Sequence, residues 1–197
     1  GSGVLSGTPT NNNVGTHSVV LSATDSSGAV DTQSFIITVS NVNDTPTVTS
    51  TAITSSTEDN AYSYTFAASD VDIGDTVTYA AATLPSWLSF DTGSGVLSGT
   101  PTNTNVGTHS VVLTATDSSG AVDTQSFTLT VNNVNDAPIV SSTAVTSGTE
   151  DSAYSYTFAA SDVDSGDTIT YAATTLPSWL SINSSTGVLS GTPTNSA

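Results

Sequence analysis

Apolar and polar residues alternate along short segments of the chain, and Gly, Asn, Asp and Pro separate one segment from the next. A period of two is typical of strands that bury one face. Apolar residues spaced by about 3.6 positions, the pattern that predicts a helix, form no convincing run. In the middle of the chain the alternation predicts seven strands: Ile53–Ser55, Tyr62–Ala67, Thr76–Ala81, Trp87–Phe90, Val96–Gly99, His109–Ala115 and Gln125–Val131.

The same pattern returns along the chain at a fixed spacing. The string GVLSGTPTN begins at Gly3, Gly95 and Gly187, which are 92 residues apart. NVND occurs at Asn41–Asp44 and again at Asn133–Asp136. Such a period is typical of a tandem array of structural units. We therefore predict the C-terminal half of one repeat in residues 1–44, a complete repeat in residues 45–136 and the N-terminal half of a third repeat in residues 137–197.

About seven strands in one repeat, joined by frequent turns, predict an all-β chain of small two-sheet sandwiches. Asp117–Gly120 and Asp91–Gly95 are predicted to form hairpin turns. Disorder, which a high net charge favours, is the weaker alternative. Regular alternation, with aromatic residues at the positions that would face inward, indicates a packed core. The predicted core, with Trp87 at its centre, consists of Tyr62, Tyr64, Phe66, Trp87, Leu88, Val112 and Phe127.

The two half-repeats permit two interpretations. A half-sandwich exposes unpaired strand edges and half a core, which makes it unstable or adhesive. In the first interpretation the chain is a piece of a longer array of nearly identical repeats. In the second, adjoining chains complement each other's half-repeats. The sequence leaves both open.

The charge composition narrows the function. The chain has no Lys or Arg, 17 Asp and Glu, no Cys and a formal net charge of −17. Nucleic-acid binding is excluded because no cationic side chain can neutralise phosphate. Disulfides, thiolate metal sites and lysine chemistry are excluded as well. No apolar run approaches the roughly 20 residues that span a bilayer. The clustered carboxylates are therefore expected to be neutralised by cations from solution, Ca²⁺ above all.

The predicted strand order brings many of the acids together at the junctions between repeats. The first strand ends at Glu58, and the loop after the next strand, Asp70–Asp75, returns to the linker end of its own repeat. At the second junction we expect Glu58, the linker Asn133–Asp136 and the loop of Asp162, Asp164 and Asp167 to converge. Carboxylate, amide and backbone oxygens are ligands suited to Ca²⁺, whereas Mg²⁺ prefers tighter octahedra and keeps its waters.

These motifs carry a resemblance to known families. NVNDAP, DVDSGD and TED resemble the linker, D-x-D and base-Glu calcium motifs of cadherin repeats. The segment from YSYTFAASDVDSGD to GVLSGTPTN, with VGTHSVVLTATDSSG, resembles dystroglycan-type cadherin-like repeats and the putative-Ig repeats of bacterial surface proteins and giant adhesins. The resemblance covers essentially the whole chain. It implies Greek-key sandwiches joined end to end, secretion, and Ca²⁺ at the junctions.

By position, the resemblance implies a ligand set at each junction. The linkers begin with Asn rather than Asp, and no equivalent of the mid-domain D-R-E motif of classical cadherins is found, so one or two ions per junction are expected. With the third carboxylate of each loop, Asp75 or Asp167, the candidates at the first junction are Asn41, Asn43, Asp44, Asp70, Asp72 and Asp75. Those at the second are Glu58, Asn133, Asn135, Asp136, Asp162, Asp164 and Asp167.

Other polar residues are expected to lie in turns or on the surface rather than in a binding or catalytic site. Asp91, Asp117 and Asp123 are expected to be turn residues, because Asp readily caps its own backbone in loops. His17 and His109 share one repeat position, and a lone His is more often a surface residue than a ligand. No arrangement of nucleophile and base indicates an enzyme.

The leading functional hypothesis is mechanical. Extracellular repeats, stiffened by Ca²⁺, would form the extension of a long adhesin or surface filament. Their partners would be neighbouring repeats of the same chain and, in a fibre, like chains. The alternative is a carbohydrate- or protein-binding accessory module of a secreted protein, which would expose aromatic side chains on a face or loop.

Overall fold

The computed structural model describes residues 3–195, and the regular secondary structure in them is almost entirely β strand. The chain divides into two compact units. The first takes in the chain up to Ser56 together with Asn60–Pro101 and Thr108–Thr130. The second takes in Thr57–Asp59, Thr102–Gly107 and the chain from Val131 onward. Among the described residues, no helix is long and apolar enough to cross a membrane.

The N-terminal segment contains a single long hairpin. A 3-10 turn at Asn11–Asn13 leads into strand β1, Gly15–Thr24, which pairs antiparallel with β2, Val30–Val39. At the tip, the Asp25 carboxylate accepts hydrogen bonds from the backbone of Ser27 and Ala29. This capping is the usual way in which Asp closes a short turn.

The middle repeat contains two main sheets. One has the order β4-β11-β10-β7, and the other has the order β5-β9-β8, while the short strands β3 and β6 form a separate pair. A second 3-10 turn, Asn103–Asn105, precedes β10. The strands are β3 Thr47–Val48, β4 Ser55–Thr57, β5 Tyr62–Thr65, β6 Ala68–Ser69, β7 Thr78–Thr83, β8 Leu88–Asp91, β9 Val96–Gly99, β10 Gly107–Thr116 and β11 Val122–Asn132.

The predicted all-β sandwich is confirmed, and the structure corrects its details. The first predicted strand, Ile53–Ser55, lies two residues later, at Ser55–Thr57. The two-residue strands β3 and β6 were not predicted, because two residues are too short for an alternation to be recognised.

The core of the middle repeat is formed by alternate residues of both sheets. Tyr62, Tyr64, Phe66 and Leu88 are buried, as predicted. Val112 was wrongly placed in the core, because β10 turns the neighbouring residues inward instead. Trp87 is only partly buried and packs against the core rather than filling its centre, and Phe127 does the same. The sequence analysis missed the following buried residues: Leu97, Val111, Leu113, Ala115, Leu129 and Val131.

The C-terminal segment repeats only part of this plan. Its strands are β12 Ile139–Val140, β13 Tyr154–Thr157, β14 Ala160–Ser161, β15 Leu180–Ile182 and β16 Val188–Gly191. They form the sheet β13-β16-β15 and the pair β12-β14, which match β5-β9-β8 and β3-β6. Residues 147–149 and 170–175 occupy the positions of β4 and β7 in the repeat, but they are not in strands. Within the described residues 137–195, no strands correspond to β10 and β11, with which β4 and β7 pair.

Candidate metal centre

The first acidic site is built on the loop between β6 and β7. The backbone N–H of Asp72 donates to Asp70 Oδ1 at 2.8 Å, and the N–H of Asp75 donates to the Asp72 carbonyl at 3.2 Å. Gly74, with φ of 93°, takes the left-handed conformation that the tight turn requires. The loop thereby gathers three carboxylates, and one oxygen from each lies within 4.8 Å of the others.

The linker closes onto this loop. The backbone N–H of Asp44 donates to Asp72 Oδ2 at 2.7 Å. Asp44 Oδ2 in turn accepts a 2.6 Å hydrogen bond from the side-chain amide of Asn11, which lies in the 3-10 turn of the preceding half-repeat. The first acidic site therefore holds side chains from both sides of the first linker.

The turn between β10 and β11 completes the first site. Asp117 is 5% exposed, and its Oδ2 accepts a 2.9 Å hydrogen bond from the amide of Asn43. This bond, helped by backbone donors of the turn and opposed by burial, holds the pKa of Asp117 below its usual value. Beside it, the Ser118 hydroxyl donates to Asp75 Oδ1 at 2.6 Å.

The second acidic site has the same plan in the next repeat. One oxygen from each of Asp162, Asp164 and Asp167 lies within 4.8 Å of the others. The backbone N–H of Asp136 donates to Asp164 Oδ2 at 2.7 Å. Glu58 is fully buried, and its Oε1 accepts a short hydrogen bond from the backbone N–H of Val134. Glu58 thus contacts the linker, and the linker contacts the acidic loop, but Glu58 is not one of the three carboxylates that lie within 4.8 Å of one another.

Both sites keep buried oxygens that have no hydrogen-bond donor. In the first site these are Asp70 Oδ2, Asp72 Oδ1 and Asp75 Oδ2. In the second they include Asp164 Oδ1. Buried carboxylate oxygens cost free energy when they are unpaired. No Lys or Arg exists in the chain to neutralise them. Three converging hard oxygens without a cationic partner are the donor set of a hard divalent cation, so the residues present fit Ca²⁺.

The remaining predicted ligands are spread around these loops. Asn43 and Asn135 each donate to the backbone carbonyl of the Asp that follows, at 2.9 and 2.8 Å. Asn41 and Asn133 are exposed at the start of the two linkers. They are therefore the predicted ligands with the least structural support.

The sequence analysis missed three kinds of participant. Asp117 caps its turn as expected, but it also accepts from the linker. Ser118 contacts the acidic loop. Asn103, the counterpart of Asn11, donates to Asp136 Oδ2 and keeps a buried Oδ1 without a donor. The recurrence of the TPTN string before each 3-10 turn was a usable signal, because Asn11 and Asn103 occupy the same place in it.

Comparison with known families agrees with this architecture. A family model described as Putative Ig domain matches residues 1–40, 45–132 and 137–197. Its three matched segments fall on either side of the linker motifs. No curated protein sequence matches the chain.

Solved structures with a similar fold are cadherin extracellular regions. Human CDH23 EC21-23 is 22% identical with a TM-score of 0.57, and the match covers 91% of this chain and 64% of that chain. The protocadherin GammaB4 extracellular domain is 22% identical with a TM-score of 0.56, and the match covers 93% and 35%. The protocadherin gammaB7 EC3-6 cis-dimer structure is 20% identical with a TM-score of 0.56, and the match covers 91% and 52%. The chain thus spans between about a third and two thirds of these structures, and the similarity shows the fold.

Proposed function

Because the chain belongs to the Putative Ig domain family, we propose that it is a structural segment of extracellular tandem repeats whose linkers are stiffened by Ca²⁺. The role proposed is mechanical rather than catalytic. A chain of small sandwiches spaces what lies at its ends, and the stiffness of such a chain depends on its linkers.

The observation that carries the proposal is the closure of each linker onto a cluster of three carboxylates that includes buried oxygens without a hydrogen-bond donor. The first cluster would hold the ion through Asp70, Asp72 and Asp75, with Asp44, Asn11 and Asp117 close by. The second would use Asp162, Asp164 and Asp167, next to the linker residue Asp136, while Glu58 and Asn103 hold the linker itself. A bound Ca²⁺ would supply the positive charge that this chain lacks. The chain's own part is to orient the oxygens through the backbone hydrogen bonds of Asp44 and Asp136.

The composition supports exposure outside the cell. With no Lys or Arg, the chain offers trypsin-like proteases no cleavage site. A surface rich in Ser, Thr and Asn, without cations, has little to attract anionic polymers or membranes. We therefore place the segment on a cell-surface filament or a long adhesin, with neighbouring repeats as its immediate partners.

The aromatic side chains do not favour the binding-module alternative. In the middle repeat Tyr62, Tyr64 and Phe66 are buried, and Tyr79, Trp87 and Phe127 pack against the same core. A carbohydrate-binding face would present such rings to solvent. The aromatic residues of the middle repeat serve the fold instead.

The proposal is tested by thermal unfolding of the whole chain in millimolar Ca²⁺, in Mg²⁺ and in chelator. A ligand that binds only the folded state raises the midpoint by mass action, and a site held at a hundred times its Kd gains about 2.7 kcal/mol. We expect Ca²⁺ to raise the midpoint by about 5 °C or more, and Mg²⁺ to raise it less.

Two variants make the test specific. Replacing Asp72→Asn and Asp164→Asn together keeps an oxygen for each linker N–H but removes two central charges, and it should abolish most of the calcium-induced shift. Asp91→Asn is the matched control, because Asn183 holds the same turn in the C-terminal segment. Identical melting in calcium and in chelator would show that the acids serve only the turns.

A further inference from the structure

One aspartate of the second linker forms hydrogen bonds on both sides of that linker. The backbone N–H of Asp136 donates to Asp164 Oδ2, in the acidic loop that follows the linker, at 2.7 Å. Asp136 Oδ2 accepts a 2.5 Å hydrogen bond from the side-chain amide of Asn103, which lies 33 positions earlier in a 3-10 turn. Asp136 therefore joins a turn before the linker to a loop after it.

The first linker has the same arrangement. The backbone N–H of Asp44 donates to Asp72 Oδ2 at 2.7 Å, and Asp44 Oδ2 accepts a 2.6 Å hydrogen bond from the side-chain amide of Asn11. Asn11 and Asp44 are again 33 positions apart, and Asn11 lies in the other 3-10 turn. The pair of bonds thus belongs to the repeating plan of the chain and not to one local irregularity.

The 3-10 turn before the second linker holds its asparagine in a fixed place. The backbone N–H and the hydroxyl of Thr102 both donate to Asn105 Oδ1, at 2.9 and 3.1 Å. The N–H of Asn105 donates back to the Thr102 carbonyl at 2.7 Å, which closes a capping box. Pro101, directly before the turn, is fully buried. The turn is therefore closed by residues other than Asn103, whose side-chain amide reaches the linker.

An ion in the acidic loop needs such a bond if it is to restrain the linker. The three carboxylates of each cluster belong to one loop, and an ion held by one loop restrains that loop. Two bonds tie the second linker to the chain before it: Asn103 donates to Asp136, and Glu58 accepts from the N–H of Val134. The first of these leads directly on to the acidic loop, because Asp136 also bonds to that loop.

We propose that Asn103 and Asn11 are positioning residues that keep each linker ordered without an ion and raise the calcium affinity of the loop that follows. The bond of Asn103 to Asp136, which we call the latch, needs no ion because the chain supplies both donor and acceptor. Asn11 forms the equivalent latch with Asp44.

The effect of the latch on calcium affinity rests on the proposed function. By fixing Asp136, the latch keeps the N–H of that residue on Asp164 Oδ2, and this bond orients Asp164 Oδ1, which is buried without a donor. Groups that orient metal ligands typically contribute about ten- to a hundredfold in metal affinity. Linkage is reciprocal, so that a bound ion strengthens the latch by the same factor. Calcium thus adds to an order that the linker already has.

The first test is nuclear magnetic relaxation of the backbone amides of the whole chain in chelator. In the parent chain we expect order parameters of about 0.85, typical of rigid backbone, for Asn135 and Asp136. Asn103→Ala removes the amide donor, so these values should fall toward about 0.6, while Asp44 in the first linker keeps its value. Equal order of the second linker in parent and variant overturns the proposal. Because no calcium is present, this result does not depend on whether the acidic loops bind the ion.

Thr104→Asn is the matched control, because it changes an exposed residue of the same turn and Asn12 occupies that position in the first turn. It should leave the order parameters of the linker unchanged. An equal loss in Asn103→Ala and Thr104→Asn overturns the proposal, since the turn as a whole would then order the linker. The amide chemical shifts of Thr102 and Asn105 check that the turn stays closed in both variants.

A calcium titration tests the second part of the proposal, with the amide signals of Gly74 and Gly166 reporting the two loops separately. Asn103→Ala should weaken the second site about tenfold and leave the first unchanged, and Asn11→Ala should do the reverse. An unchanged affinity of the second site in Asn103→Ala overturns the effect of the latch on the ion. If the parent chain binds no calcium, the proposed function fails, and the chelator measurement alone decides whether the latch orders the linker.

Discussion

At the scale of single residues, one carboxylate can serve both a turn and a site. Asp117 Oδ1 accepts from the backbone of Ser119 and Ala121, as expected of a turn Asp. Its Oδ2 accepts a second hydrogen bond from Asn43 in the linker, a residue 74 positions earlier in the chain. The turn could be predicted from DSSG, because the pattern is local. The linker partner could not, because only the folded repeat brings the two residues together.

This double role predicts how acid affects the protein. The pKa of Asp117 is lowered in the folded chain, so its carboxylate stabilises the fold above the ordinary Asp pKa of about 3.9, and that contribution is lost as pH falls through the lowered pKa. Asp117→Asn should therefore weaken the dependence of stability on pH in this acid range. Urea unfolding at a series of pH values measures the change.

Asp25 provides the matched control for this prediction. It makes the same two turn hydrogen bonds, to Ser27 and Ala29, but it lies in the exposed hairpin. Asp25→Asn should leave the acid dependence of the middle repeat unchanged. If both variants have the same effect, the contact with Asn43 contributes nothing beyond the turn.

At the scale of elements, close packing between strands depends on a glycine at one repeat position. A Cβ on Gly99, in β9, would collide with the backbone carbonyl of Trp87 and approach its ring carbon Cε3 to 3.1 Å. At Gly7, the same position in the N-terminal segment, a Cβ would meet nothing within 4 Å. The glycine is thus required only where the neighbouring strand is present.

Gly99→Ala should destabilise the chain by about 1–3 kcal/mol, because Trp87, which directly precedes β8, has to move to make room. Gly7→Ala should change the free energy of unfolding by less than about 0.5 kcal/mol. Chemical denaturation of both variants under the same conditions measures the difference. A similar loss in the two variants would contradict the packing described for β9.

Strands could be predicted where the alternation of apolar and polar residues was long, and the prediction failed where the alternation was short. The hairpin strands were placed correctly, although the side of β10 that faces the core was misjudged at Val112. In a run of three apolar residues, Val111, Val112 and Leu113, either the middle residue or the two outer residues could face the core. In the folded chain Val111, Leu113 and Ala115 face the core, and this choice depends on tertiary packing that the local sequence does not reveal.

At the scale of the whole molecule, the recurring sequence concentrates the unbalanced negative charge beside the linkers. Seventeen carboxylates without one basic residue leave the chain dependent on solution cations wherever acids cluster. The repeat then places such a cluster beside each linker. The all-β sandwich could be predicted because strand alternation leaves a periodic trace in the sequence, and the clustering of the loop carboxylates could be predicted from their close spacing. The recurrence of TPTN marks Asn11 and Asn103 as equivalent residues, but their partners Asp44 and Asp136 could not be predicted, because a short polar turn carries no sign of the distant residue that it contacts.

The most direct test of the central claim is a calorimetric titration of the whole chain with Ca²⁺, repeated on the variant that carries Asp72→Asn and Asp164→Asn. The account predicts saturable binding by the parent chain at the level of one or two ions per acidic site, with Mg²⁺ a weak competitor. The variant should lose most of this binding while keeping its fold. Binding that is undetectable in the parent chain, or unchanged in the variant, would contradict the account.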